Sequence, residues 1–208
     1  MIQLIFLKKC GLKIRPDKNS LLCHVENLPI DLLFVRDDDI PTLVMDNVCD
    51  LGIVGENVSL EKKLEYTNNG NNKEFEISRP LSFGRCRLSI ALPKEKSFNS
   101  PQCLENLRIA TSYPNIVKQY LEKNTITAKI IPISGSVEIA PRLEIADAIC
   151  DIVSTGRTLA ENNLKEVDQV MQSQANLIKS PQEFSVEKTR NICFIATTHR
   201  KCIKSTRK

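Results

Sequence analysis

Short apolar runs alternate along this chain with stretches of helical spacing, and several of the runs end at a glycine, a proline or a hydroxylated residue. This rhythm constrains the fold more than any other feature, because strands separated by helical segments pack as βαβ units around a largely parallel sheet. The runs at 30–35, 51–54, 87–92, 107–110, 130–133, 148–153 and 171–178 read as strands. Helical patterns fall at 40–47, 114–124, 136–144 and 159–167, with Thr111 or Ser112 as cap and Pro114 in the first turn of the second. The polar stretch 66–73, rich in Asn and Gly, reads as a surface loop. The expected fold class is α/β.

Two places echo each other, Cys49-Asp50-Leu51-Gly52-Ile53-Val54-Gly55 and Cys150-Asp151-Ile152-Val153-Ser154-Thr155-Gly156. Each sets an acid at the base of an apolar strand that ends in a glycine turn. The echo suits two similar α/β lobes facing one cleft. We expect lobe I from 1–86 and 163–188 and lobe II, inserted into it, from 87–162.

With 208 residues and 41% hydrophobic content the chain can bury a core. No apolar run approaches the ~20 residues of a membrane helix. In the opening MIQLIFLKKCGLK the positive charges follow the apolar stretch, which is the wrong order for a signal peptide, so a cytoplasmic protein without a membrane partner is expected. The eight cysteines are scattered without a CxxC pair and only two histidines accompany them, which argues against zinc.

The net charge of +4 belongs to the end of the chain. Residues 189–208 carry Arg190, Arg200, Lys201, Lys204, Arg207 and Lys208 and no acid. Lacking an aromatic or glycine pattern, this tail reads as a solvated, disordered end rather than a nucleic-acid arm.

Chemistry concentrates after the strand at 148–153. Ser154-Thr155-Gly156-Arg157-Thr158 must turn into a helix, which aims backbone N–H groups and hydroxyls at one point. Glycine lets a phosphate approach the backbone, and Arg157 would neutralise charge if turned inward. The competing reading is a capping box made by Thr158 and Glu161. Asp147 and Asp151, four apart, would share a face of an extended strand and grip sugar hydroxyls or hold Mg²⁺ through water; solvent partners are the simpler account. In Arg36-Asp37-Asp38-Asp39-Ile40-Pro41, capping by Asp38 or Asp39 is favoured over a metal site.

The segments ENLPIDLLFVRDDDIP, RDDDIPTLVMDNVCDLGIVGENV, FGRCRLSIALP, RIATSYPNIVKQYL and GSVEIAPRLEIADAICDIVSTGRTLAENNL occur in the order and spacing of one family. Over about 10–178 the chain resembles ATP phosphoribosyltransferase, which opens histidine biosynthesis. The resemblance implies two lobes like a type II periplasmic binding protein, with ATP and phosphoribosyl pyrophosphate meeting in the cleft. It places the 5-phosphate at Ser154, Thr155, Gly156, Arg157 and Thr158, the ribose near Asp151 and Asp147, and ribose or metal near Glu138. Nucleotide contacts fall to Arg36, Gly55, Glu56 and Arg87. Mg²⁺ is the implied cofactor, with no protein ligands assigned, and homo-oligomers are implied because the family's catalytic regions form dimers.

The chain also departs from that family. On this resemblance the family's first strand and its basic loop are expected to be absent from the start. The motifs look like the long form, and its C-terminal regulatory domain is expected to be missing. From about Thr189 the pattern is lost, as translation past a frameshift would produce. These departures leave impaired activity, an inactive remnant, or a non-catalytic two-lobed binder of nucleotides or sugar phosphates as the alternative expectation.

Overall fold

The computed structural model describes residues 2–15, 20–70 and 74–184, so the basic tail at 189–208 lies outside the described residues. In chain order the elements are α1 (Ile2–Lys9), β1 (Leu22–His24), β2 (Asp31–Leu33), α2 (Ile40–Met45), β3 (Leu51–Gly55), α3 (Glu56–Asn68), β4 (Glu76–Pro80), β5 (Cys86–Pro93), β6 (Arg108–Thr111), α4 (Pro114–Lys123), β7 (Lys129–Pro132), β8 (Ala148–Val153), α5 (Arg157–Glu161), β9 (Leu164–Ser173) and β10 (Ala175–Lys179). The chain divides into two compact units. The first takes residues up to Val54, Glu74–Leu81 and those from Asn176; the second takes Gly55–Lys73 and Ser82–Ala175.

In the second unit one sheet has the order β7-β6-β8-β5-β9. Strands β7, β6 and β8 are parallel, while β5 runs antiparallel to both β8 and β9. Both faces are dry. Leu88, Ile90 and Leu92 of β5 join Ile109, Cys150 and the buried side of α4 on one face. On the other, Ala91, Ala110, Ile149 and Val153 meet Val137 of a 3-10 turn (Val137–Ile139) and Leu159 of α5. That two-sided burial explains why these strands read as continuous apolar runs rather than as alternations.

Helix α4 buries Ile116, Val117 and Leu121 and starts at Pro114. Its first free amides are met by a neighbouring helix: Asn115 N and Ile116 N donate to the Glu61 carboxylate of α3 at 2.8 and 2.9 Å. Thr111 and Ser112 therefore do not cap it. The Thr111 hydroxyl accepts from Tyr113 N at 2.9 Å, and the Ser112 hydroxyl donates to Ile133 O at 2.7 Å.

The first unit has two small sheets, β1-β2 and β3-β10-β4. Here α2 packs directly on β3. A Cβ at Gly52 would lie 2.5 Å from Ile40 Cγ2 and 3.0 Å from Val44 Cγ2, so the glycine is required by close approach.

Four expectations are corrected. The helix expected at 159–167 stops at Glu161; Asn163 turns the chain with φ 57°, and 164–173 pair with β5 as β9. The loop expected at 66–73 begins later, because α3 continues to Asn68. The short helix at 136–144 is a single 3-10 turn flanked by Ser136 (φ 49°) and Glu144 (φ 58°). The last apolar run is two strands, parted at Gln174.

Asp39 is the residue before α2 but makes no side-chain cap, so the Asp38/Asp39 cap is also not formed. We expect Gly52→Ala to destabilise the fold by about 1–3 kcal/mol through overpacking against α2. Chemical denaturation measures it.

Candidate active site

The C-terminal ends of β6, β7 and β8 lie along one edge of the second unit's sheet, the edge where open α/β sheets receive ligands. After β8 the chain turns through Ser154 and Thr155 to Gly156, whose φ of 78° suits glycine and which stands as the residue before α5. A Cβ built at Gly156 would meet nothing within 4 Å, so the turn is open rather than packed over. Ser154, Thr155 and Thr158 are exposed around it.

Neither role expected of Arg157 and Glu161 is realised as drawn. Gly156, not Thr158, precedes the helix, and no side-chain cap forms. Instead Arg157 Nε donates to Glu161 Oε1 at 2.7 Å, in a pair whose side chains are 84% and 58% exposed. The capping box is thus replaced by a surface i,i+4 pair worth little to stability. The Arg157 cation faces Glu161 rather than the turn.

The two acids set four apart, Asp147 and Asp151, part company. Asp147 precedes β8, at the far end from the turn. Its carboxylate takes Arg108 Nε and Nη2, both at 3.0 Å, and Arg108 N at 2.9 Å. Those bonds to Arg108 hold the Asp147 carboxyl at about 2. Asp151 lies on the sheet face that also carries Ile149 and Val153 and is covered by the Val137–Ile139 turn. Burial pushes its carboxyl up, the nearby charge of Glu138 adds to this, and a 2.7 Å hydrogen bond from Ile152 N opposes it.

Arg87, expected on the nucleotide, is committed elsewhere. Its Nε and Nη2 donate to the two oxygens of Glu166, each at 2.5 Å, and Nη1 reaches Ser154 O at 3.4 Å. Glu166 also accepts from the fully buried Ser89 hydroxyl at 2.8 Å. Hydrogen bonding to Arg87 lowers the Glu166 carboxyl and raises the guanidinium.

Sequence reasoning missed Glu166 and Ser89. No local signal marked them, because 164–173 carries no alternation of apolar and polar residues and becomes a strand through its pairing with β5.

The structure gathers Glu138, Asp151, Ser154, Thr155, Gly156, Thr158 and Arg87 in the second unit. Gly55 and Glu56 open α3 in that unit, with Glu56 N donating to Gln174 O at 2.9 Å. Arg36 is an exposed residue of the first unit, before the Asp37–Asp39 turn. With its first amides taken by Glu61, the start of α4 is closed to an anion. Among the described residues no group of three or more His, Cys, Asp or Glu is placed to hold a metal ion. No described helix is long and apolar enough to cross a membrane.

The family model described as HisG: ATP phosphoribosyltransferase matches residues 36–199. The chain belongs to the ATP phosphoribosyltransferase family. It is therefore a transferase of the glycosyltransferase type, acting at the first step of histidine biosynthesis. The match continues past Thr189, where the sequence pattern was expected to be lost. Among solved structures, the chain is 28% identical to the ATP phosphoribosyl transferase of a HisG:HisZ complex from Thermotoga maritima, with a TM-score of 0.76 over 98% of this chain and 93% of that one.

The substrate-binding protein of an amino acid ABC transporter matches at 10% identity and a TM-score of 0.60, over 84% of this chain and 74% of that one. The arginine-bound form of truncated ArgBP from T. maritima matches at 16% and 0.52, over 82% and 76%. These two likenesses concern the fold, and they agree with the expected type II periplasmic-binding-protein class.

Two outcomes follow for this family member. Asp147 is depressed below its unfolded value, so its contribution is complete above about pH 4 and is lost as pH falls towards about 2. A stability-against-pH curve of Asp147→Asn should lack that acid-side loss. In a double-mutant cycle, Arg87→Ala with Glu166→Ala should destabilise by less than the two single changes added together.

Proposed function

We propose that the turn at 154–158 receives the 5-phosphate of phosphoribosyl pyrophosphate and that Asp151 holds the ribose hydroxyls, with Glu138 beside it. The observation that carries this is the open Gly156 turn at the end of β8, next to a half-buried carboxylate whose protein hydrogen bond comes from its own strand. Main-chain amides and the hydroxyls of Ser154, Thr155 and Thr158 are the donors a monoester dianion needs. Asp147 is left out of the binding set because Arg108 occupies it. Arg157 supplies its backbone only.

Displacement of pyrophosphate by N1 of ATP asks little of a base, since that nitrogen has a free lone pair. It asks for alignment and for a leaving group whose charge is balanced. On this reading Asp151 and Glu138 fix the ribose so that its anomeric carbon faces the incoming ring, and the turn anchors the far end of the sugar. Mg²⁺ fits the donor set as an ion held by one or two carboxylates, with substrate oxygens completing its shell. When bound, it supplies neutralisation of pyrophosphate charge. For ATP, the phosphate contact proposed is the exposed Arg36, with Gly55 and Glu56 as further nucleotide contacts.

The compartment proposed is the cytoplasm, where both substrates are intracellular metabolites. Assembly into homo-oligomers is proposed from the family; the Thermotoga relative is described in a HisG:HisZ complex.

Pyrophosphate release from ATP and phosphoribosyl pyrophosphate with Mg²⁺ tests the activity. Thr155→Ala with Thr158→Ala should raise KM for phosphoribosyl pyrophosphate at least about 10-fold, as loss of two charge-assisted hydrogen bonds predicts, while KM for ATP changes little. Unchanged affinity for the sugar phosphate would sink the assignment of the turn. Tight binding of both substrates without turnover would make the protein a binding module.

A further inference from the structure

Asn57 lies in the first turn of α3, only 5% exposed, and its side chain bonds to residues far along the chain rather than to its own helix. The buried Ser173 hydroxyl, at the end of β9, accepts from Asn57 N at 3.2 Å and donates to Asn57 Oδ1 at 2.7 Å. Asn57 Nδ2 in turn donates to the Tyr113 hydroxyl at 2.9 Å. Tyr113 follows β6, just ahead of α4.

This bridge has a definite place in the second unit. Strands β8 and β9 both run antiparallel to β5, and Arg87 pairs with Val153 on one side and with Gln172 on the other. Ser173 therefore stands at the edge where β8 ends. In the sheet order β8 and β5 lie between β6 and β9, so the Ser173–Asn57–Tyr113 bridge spans the edge at which β8 gives way to its turn.

Docking of α3 on α4 does not require it. Glu61 already secures that contact by accepting from Asn115 N, Asn115 Nδ2 and Ile116 N. The bridge also dictates its neighbour: a Cβ at Gly55 would lie 2.5 Å from Asn57 Oδ1, although the φ of −64° there suits any residue. A buried carboxamide is costly unless its partners are in place, and a satisfied network admits one geometry.

We propose that Asn57 is a positioning residue for the transfer reaction. It fixes the first turn of α3, with the nucleotide contacts proposed at Gly55 and Glu56, in register with the sheet edge that carries the sugar-phosphate turn. The proposal rests on that reading of Gly55 and Glu56. Joining two bound substrates demands that the attacking nitrogen and the anomeric carbon be aligned, and a misplacement of about 1 Å costs on the order of 100-fold in rate.

Steady-state kinetics of the full chain test this. Asn57→Leu, close in volume, removes both side-chain bonds and should lower kcat by about 10- to 100-fold while KM for phosphoribosyl pyrophosphate changes less than about 2-fold. A side chain that only packs would move stability and leave kcat of the folded protein as it is. Tyr113→Phe breaks one bond, so it should lower kcat less, and the combined variant should be within about 2-fold of Asn57→Leu alone. Asn57→Asp should recover most of kcat, because the Ser173 and Tyr113 hydroxyls can both donate to a carboxylate.

Unchanged kcat in folded Asn57→Leu, or losses that multiply in the combined variant, would overturn the proposal. Where Asn57→Leu fails to fold, Tyr113→Phe, which removes a single oxygen, decides by the same division between kcat and KM. Glu56→Ala with unchanged KM for ATP would overturn the nucleotide reading and the proposal with it. A raised KM for ATP in Glu56→Ala beside unchanged kcat in Asn57→Leu would overturn the positioning role alone.

Discussion

The middle of strand β5, from Leu88 to Leu92, has no side that meets water, and the placement of the site follows from that. Leu88, Ile90 and Leu92 fill one core layer and Ala91 the other, leaving Ser89 as a hydroxyl with no exposed area inside the sheet. A hydroxyl in that position must find an acceptor or cost a few kcal/mol. It donates to Glu166 of β9, Glu166 grips Arg87, and Arg87 reaches the carbonyl of Ser154 at the mouth of the turn. A requirement of the dry interior is in this way carried, residue by residue, to the loop that ends β8.

Strands buried on both faces were legible in the sequence because their apolar runs are unbroken. So was the turn at 154–158, since glycine and small hydroxylated residues announce a tight change of direction. What stayed hidden depends on partners distant in sequence. Nothing local says that Asp147 belongs to Arg108, 39 residues earlier, or that Glu61 will cap a helix beginning at Pro114. Spacing alone put Asp147 and Asp151 on one face, but a strand also has length, and four residues carry the pair about 13 Å apart. Glu166 was lost for another reason. The sequence Leu159 to Val167 satisfies helical spacing, and only pairing with β5, with its register shifts, makes 164–173 a strand.

The two units show how differently one chain can close its sheets. In the second, β5 is flanked on both sides and the helices and turns cover both faces. In the first, α2 lies so tightly on β3 that Gly52 admits no side chain, yet the same strand keeps an open edge among the described residues. Tight packing across a sheet and incomplete pairing along it are independent. The first is set by side-chain size and the second by which segments the chain can bring alongside.

Asp151 is the clearest mark of function on the second unit. Its neighbours along the strand, Ile149 and Val153, are buried apolar residues, and packing alone would favour another aliphatic side chain between them. A carboxylate there loses hydration and feels Glu138, both of which disfavour its charge. Asp147, by contrast, is stabilised as an anion by Arg108 and has a structural reason to be acidic. An acid that the fold does not reward, set beside an open glycine turn at the end of a parallel strand, is explained when a ligand supplies the donors the protein withholds. Ribose hydroxyls are donors of that kind, and the substrate proposed for this site carries them together with the phosphate proposed for the turn.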